Sequence, residues 1–212
     1  MSYICILANR SGAVAAADTR LTKSNKFLPI TYHTDHRQKV WKSTESKVVW
    51  ALAGISKNGF RDLTKTMNKI LRDDSVSFNT RLDTFRPKAA EMTAKYQKKF
   101  KKAAAVITLL YASYEKPDAP DVGYITVQNG CVAVDRKCSL PCAIQGGANA
   151  AYLSDINGFR PEDRYSARKL SMMAQRRVQE AIDYDAARKK TDRKYAATVG
   201  GKIMVRAVLV KK

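Results

Sequence analysis

Hydrophobic positions near the start of the chain form short runs separated by polar residues, which predicts β-strands. Residues 3–8 and 13–17 are two apolar runs joined by Asn9-Arg10-Ser11-Gly12, whose residue types suit a tight turn. They predict a β-hairpin. Two more strands are predicted at 31–41 and 48–53. The second of these is apolar at every position, so we expect both of its faces to be buried.

A different period follows and predicts two helices. Apolar residues recur at three- and four-residue spacing in the first helix: Phe60, Leu63, Met67, Ile70 and Leu71. Thr80-x-x-Asp83 has the pattern of a capping box and predicts the start of the second helix. The apolar face of this second helix consists of Phe85, Ala89, Met92, Tyr96 and Phe100.

The second half of the chain repeats the order of strands followed by helices. Strands are predicted at 106–112, 122–127, 131–134 and around 143–144, with Gln128-Asn129-Gly130 as a hairpin turn. A third helix is predicted after Gly146-Gly147, with Ala148, Ala151, Tyr152 and Ile156 on one face, a fourth near 170–182, and a last strand at 203–210. This order predicts an α+β fold in one domain, 1–212: a four-layer αββα sandwich of two packed antiparallel sheets flanked by helix pairs.

Composition excludes several classes of protein. With 45% hydrophobic and 27% charged residues in 212, the chain has enough apolar material for a core and is not typical of a disordered protein. No apolar run approaches the roughly 20 residues of a membrane-spanning helix, and the first residues lack the pattern of a secretion signal. We therefore expect a cytoplasmic protein with no membrane partner, whose four cysteines are thiols.

The net charge of +20 predicts attraction to polyanions. The basic residues are concentrated at 95–102 and 188–194, where predicted helices end. Cations are favoured there by the helix dipole and are exposed to solvent. A nucleic-acid partner is therefore an alternative and not the preferred interpretation.

Five short motifs lie in a fixed order along these elements. They are Ala15-Ala16-Ala17-Asp18-Thr19-Arg20, Gln38-Lys39-Val40, Ala51-Leu52-Ala53-Gly54, the segment 143–149 with Gly146-Gly147, and Val199-Gly200-Gly201. Asp18 lies 16 residues after Ser2. In order and spacing the chain resembles the proteasome-like N-terminal nucleophile hydrolases, a family that includes proteasome β-subunits, HslV and Anbu.

The resemblance implies a catalytic mechanism based on an N-terminal serine. The catalytic residues that it implies are Ser2, Asp18, Arg20, Lys39 and Gly54. Removal of Met1 would expose Ser2, whose own α-amine, with an ordinary pKa of roughly 7.7 to 8, would act as the base. Lys39 would promote ionisation of the hydroxyl, Asp18 and Arg20 would hold Lys39, and the Gly54 N–H would bind the oxyanion.

The family also implies a substrate pocket and an assembly. The pocket residues would be Leu21, Trp41, Leu52 and Ser56, which favours an apolar or aromatic substrate side chain. The implied protein is a homo-oligomer, in a ring or a helical assembly, that cleaves peptides or unfolded proteins. No Walker-type loop is present, so ATP use would belong to a separate unfoldase partner.

No cofactor or metal is predicted, and two alternatives to a peptidase stay open. His33-x-x-His36 places its two histidines on opposite faces of a strand, which does not suit a metal site. The chain has Gly146, Ala196 and Val199 where active members of the family carry serine or aspartate; Thr198, Ser139 or Asp192 are candidate substitutes. The first alternative is therefore a catalytically inactive structural homologue, and the second is a basic nucleic-acid-associated protein.

Overall fold

The computed structural model describes residues 2–24, 31–34, 37–54, 63–99, 105–147, 161–191 and 199–210. Eleven strands and three helices lie in these ranges. They are β1 (Ile4–Asn9), β2 (Gly12–Asp18), β3 (Leu21–Ser24), β4 (Thr31–Thr34), β5 (Val40–Ser43), β6 (Val48–Gly54), α1 (Leu63–Leu71), α2 (Phe78–Lys99), β7 (Val106–Ser113), β8 (Asp121–Gln128), β9 (Cys131–Lys137), β10 (Cys142–Gly146), α3 (Ala167–Thr191) and β11 (Ile203–Leu209).

The strands form two main antiparallel sheets and a small ribbon. One sheet has the order β10-β1-β2-β11, and the other has the order β5-β6-β7-β8-β9. The ribbon pairs β3 with β4. The predicted hairpin is confirmed as β1 and β2, with Asn9 opposite Gly12 at its turn. The α+β class is therefore correct.

Strand alternation distributes the apolar side chains into three clusters. Ile4, Ile6 and Ala8 of β1 lie between the two sheets, against residues such as Ala51 and Leu110 of the other sheet. Their neighbours Tyr3, Cys5 and Leu7 face α3. In the same way, β6 directs Val49, Ala51 and Ala53 to the other sheet and Val48, Trp50 and Leu52 to α1 and α2. Because both faces of β6 pack on protein, its continuous apolar run is explained.

Two predicted elements differ from the observed ones. The strand predicted at 31–41 is wrong, because β4 ends at Thr34 and β5 begins only at Val40. The capping box at Thr80 is also wrong, since α2 starts at Phe78. Ser77 caps the helix by accepting the N–H of Thr80 at 3.3 Å, and the Phe78 N–H donates to the carboxylate of Glu115 at 2.9 Å.

Several predicted positions lie outside the described residues, namely Phe60, Phe100 and the third helix at 148–156. The fourth predicted helix corresponds to α3, with Leu170, Ala174, Val178 and Ala181 buried against the four-stranded sheet. In the part of the chain described here, no helix is long and apolar enough to cross a membrane.

Candidate active site

Asp18 lies at the end of β2 and is the centre of a buried polar cluster. Its side chain is 0% exposed. One carboxylate oxygen, Oδ1, accepts the ammonium of Lys39 at 2.9 Å and the backbone N–H of Tyr3 at 2.7 Å. The other, Oδ2, accepts the backbone N–H groups of Arg20 and Gly200, both at 3.1 Å. Four donors therefore hold this carboxylate in one orientation.

Lys39 lies just before β5, and its ammonium is buried beside Asp18 with 4% exposure. It also donates to the backbone carbonyl of Arg20 at 2.7 Å. Burial lowers the pKa of Lys39 below the ordinary lysine value. Asp18 opposes this shift, while the positive charges of Arg37 and Arg20 add to it. The amine is thus easier to deprotonate than a surface lysine.

The lowered pKa of Lys39 predicts a pH-dependent stability. Between the folded-state pKa and the ordinary value of 10.5, the unfolded chain binds this proton more tightly, so stability should rise with pH. The slope is at most about 1.4 kcal/mol per pH unit. Urea unfolding of the wild type and of Lys39→Met is measured from about pH 7 to about pH 10.5. The free energy of unfolding of the wild type minus that of Lys39→Met should increase with pH. A constant or falling difference would contradict the shift.

Ser2 lies directly before Tyr3 and is half-buried. Its backbone N–H donates to the carbonyl of Gly147 at 3.4 Å. Gly147 has a φ of +85°, and a Cβ at this position would lie 2.4 Å from the Ser2 carbonyl oxygen and 2.7 Å from the Cβ of Ala53. The turn at Gly147 therefore brings Ser2 close to the end of β6, where Gly54 follows Ala53.

The structure brings some of the predicted site residues together and separates others. Asp18, Arg20 and Lys39 are in direct contact, and Ser2 is linked to Asp18 through the N–H of Tyr3. Gly54 is the last residue of β6, the strand that pairs with β5. Trp41 and Leu52 lie on the helix side of the five-stranded sheet, in the cluster with α1 and α2. Leu21 is in β3 with its side chain outside the described part, and Ser56 lies outside the described residues.

A second buried network, which the sequence did not indicate, lies behind Ser2. The hydroxyl of Tyr3 donates to Gln145 Oε1 at 2.7 Å, and Arg177 Nε of α3 donates to the same hydroxyl at 3.2 Å. Arg177 also reaches Gln145 Oε1, at 3.4 Å from its Nη2. These contacts fasten β1 and β10 to α3 immediately after Ser2. Because Arg177 is 174 residues from Tyr3 in sequence, no short motif could have indicated this contact.

Two of the positions that depart from the family pattern, Gly146 and Val199, lie among the described residues. A Cβ on Gly146 would lie 2.9 Å from Thr108 Cγ2, so a serine at this position would require the Thr108 side chain to shift. Asp185 of α3, which the sequence did not indicate, accepts the backbone N–H of Val199 at 2.8 Å and is 4% exposed. Asp185 thereby anchors the turn that leads into Gly200, a donor to Asp18.

Ser139, another candidate, is exposed. Asp192, Ala196, Thr198 and His36 lie outside the described residues. Within the described ranges, no group of three or more His, Cys, Asp or Glu residues is arranged to hold a metal ion.

Comparison with solved structures defines the class of fold: it is the proteasome-like N-terminal nucleophile fold. The chain is similar to the structure of Anbu (ancestral beta-subunit) from Yersinia bercovieri, with a TM-score of 0.58 and 13% sequence identity, over 98% of this chain and 82% of that chain. No family model matches the sequence, and no curated protein matches it. At this identity the likeness shows the fold alone.

Proposed function

We propose that the protein is a peptidase that cleaves peptide bonds with Ser2 as its N-terminal nucleophile, exposed by removal of Met1. The observation that supports this most directly is the buried pair of Lys39 and Asp18, 2.9 Å apart. The same oxygen of Asp18 accepts the N–H of Tyr3, the residue after Ser2. An ion pair held at a nucleophile by backbone contacts is a way to preorganise a catalytic site.

The proposed reaction begins with activation of a weak nucleophile. The α-amine of Ser2 takes the proton from its hydroxyl, and the positive charge of Lys39 favours the developing alkoxide. The alkoxide attacks the peptide carbonyl, and the N–H of Gly54 donates to the oxyanion that forms. The α-ammonium then gives its proton to the leaving amine, which leaves an ester on Ser2. Water hydrolyses this ester and restores the free serine.

Arg20 has a positioning role in this scheme. Its backbone carbonyl accepts Lys39, while its backbone N–H donates both to Asp18 Oδ2 and to the carbonyl of Gly200 at 3.0 Å. A Cβ on Gly200 would lie 2.4 Å from Arg20 Cζ, so the guanidinium packs directly on this glycine. The turn before β11 and the ion pair therefore support one another.

We further infer that residues 1–212 form one domain with a four-layer αββα arrangement, and that copies assemble into a cytoplasmic ring or helical homo-oligomer. The three apolar clusters support the layers, since each lies between two adjoining layers. We expect copies to meet through the helices, as the family resemblance implies; Met172 and Tyr184 are apolar side chains that α3 exposes, at 58% and 41%. The substrate would be a peptide or an unfolded protein, delivered by a separate ATPase unfoldase where folded proteins are degraded.

The nucleophile is tested by intact mass after incubation with a peptidyl electrophile that requires a hydroxyl and a free α-amine. We expect loss of Met1 and one adduct on each chain, and no adduct on Ser2→Ala because the attacking oxygen is gone. Thr44→Ala is the matched control, since Thr44 carries a hydroxyl, is exposed and lies in the turn between β5 and β6. It should be labelled at the wild-type rate.

A retained Met1, or a free Ser2 that forms no adduct, would contradict the peptidase and favour the inactive structural homologue. Binding of nucleic acid that weakens steeply with salt would instead favour the nucleic-acid-associated protein.

A further inference from the structure

A cavity of about 310 Å³ opens between the residues around the start of β5 and one face of α1. This volume is at the lower end of the range for ligand pockets and suits a single side chain. Arg37 and Trp41 line it from the β5 side. Thr64, Lys65, Asn68 and Arg72 line it from α1 and the residue after its end.

The described lining of this cavity is strongly cationic. Arg37, Lys65 and Arg72 carry positive charges, and the described lining includes no carboxylate. Arg37 Nη2 donates to Thr64 Oγ1 at 2.5 Å, which ties the guanidinium to α1. A guanidinium held in place loses less conformational freedom when it binds an anion.

The other lining groups complete a site for a short side chain that ends in an anion. Asn68 Oδ1 accepts the indole N–H of Trp50 at 3.0 Å, so the group that Asn68 can offer a ligand is its amide nitrogen, a donor. Trp41 is 7% exposed and supplies an apolar wall. An aspartate or glutamate side chain matches this site, because its carboxylate can accept from these donors and its methylene groups can pack on Trp41.

The cavity is also connected to the candidate active site. The backbone N–H of Arg37 donates to the carbonyl of Thr19 at 2.9 Å, one residue from Asp18. Burial is the largest cause of the lowered pKa of Lys39, and the positive charge of Arg37 lowers this pKa further. The two side chains are therefore within electrostatic reach of one another. The backbone that carries Arg37 into the cavity is therefore tied to the residue after Asp18.

We propose that this cavity binds the aspartate or glutamate side chain of a peptide substrate and directs cleavage to acidic residues. This inference rests on the proposed peptidase function and names its substrate class. It replaces the apolar preference expected from Trp41 and Leu52. Leu52 is 1% exposed in the helix-side cluster, and cations predominate at the cavity.

The test compares peptidyl electrophiles that differ only in the recognised residue, glutamate or its neutral isostere glutamine. Wild-type protein should be labelled about tenfold faster or more by the glutamate probe, the value of one charge-assisted hydrogen bond. Arg72→Glu and Lys65→Glu should each bring the ratio of the two rates close to one. Both residues are exposed, so these variants retain the anchoring contact of Arg37.

Arg168→Glu is the matched control, because it changes the net charge by the same amount at an exposed residue of α3, the helix that packs on the other sheet. It should keep the wild-type ratio. Binding of the glutamate and glutamine peptide amides to Ser2→Ala is measured in parallel by titration calorimetry, which requires no reaction.

The outcomes separate this inference from the proposed function. Labelling at equal rates by both probes would overturn the acidic preference and leave the peptidase standing. Preferential binding of the glutamate peptide that Arg72→Glu abolishes, without labelling of the wild type, would support the cavity and overturn the peptidase. Neither labelling nor preferential binding would overturn both.

Discussion

Replacing Asp18 with asparagine is expected to lower the free energy of unfolding by about 3–5 kcal/mol, the usual cost of removing one partner of a buried ion pair. The ammonium of Lys39, 4% exposed, would remain in the interior without its counter-charge. The new amide group would also direct its own N–H donors at one pair of existing donors. That pair is either the Tyr3 N–H with the Lys39 ammonium, or the backbone N–H groups of Arg20 and Gly200. Labelling of Ser2 should be lost together with stability.

Urea unfolding measures this effect, with Asp118→Asn as the control because Asp118 is exposed. That control should change stability by less than about 0.5 kcal/mol. The double variant Asp18→Asn with Lys39→Met should be more stable than Asp18→Asn alone, since it removes the uncompensated charge. A double variant whose losses simply add would show that the two side chains do not form an energetically coupled pair.

Gly147→Ala has the second large expected effect, and it acts on the position of Ser2. The φ of +85° costs a residue with a Cβ about 1–3 kcal/mol, and the added Cβ would also lie 2.4 Å from the Ser2 carbonyl oxygen. The backbone at Ser2 must therefore move. Since a displacement of about 1 Å at a reacting group can cost about a hundredfold in rate, labelling should slow by about that factor.

The control for this variant separates backbone strain from displacement of Ser2. Gly130 has a similar φ of +91° and lies in the turn between β8 and β9, so Gly130→Ala has a comparable conformational cost outside the Ser2 site. Unfolding in urea should show comparable losses for the two variants, whereas slow labelling should be confined to Gly147→Ala. Labelling at the wild-type rate in Gly147→Ala would mean that this turn does not position the nucleophile.

The parts of the fold that could be predicted are those in which neighbours along the chain decide the structure. The hairpin of β1 and β2, the doubly buried strand β6 and the apolar face of α3 all follow from hydrophobic period and turn residues. The contact of Asp18 with Lys39 was expected only from the family resemblance, which carries information from other chains.

Long-range contacts explain what the sequence missed. The start of α2 is held by a contact between residues distant in sequence, from the N–H of Phe78 to the carboxylate of Glu115, which follows β7. The strand predicted through 41 is interrupted before Val40, where the backbone places Lys39 beside Asp18. Local propensity contains neither contact, because each forms only when distant strands and helices have packed.

By itself, the sequence determined the α+β class, most of the strands and the helix faces, because these depend on spacing along the chain. Only the tertiary structure decided that Arg177 and Asp185 of α3 brace the segments around Ser2 and Gly200. It also decided that Arg37 and Arg72 line one cavity. These residues are far apart in sequence, and burial of the apolar faces of the sheets and helices is what brings them together.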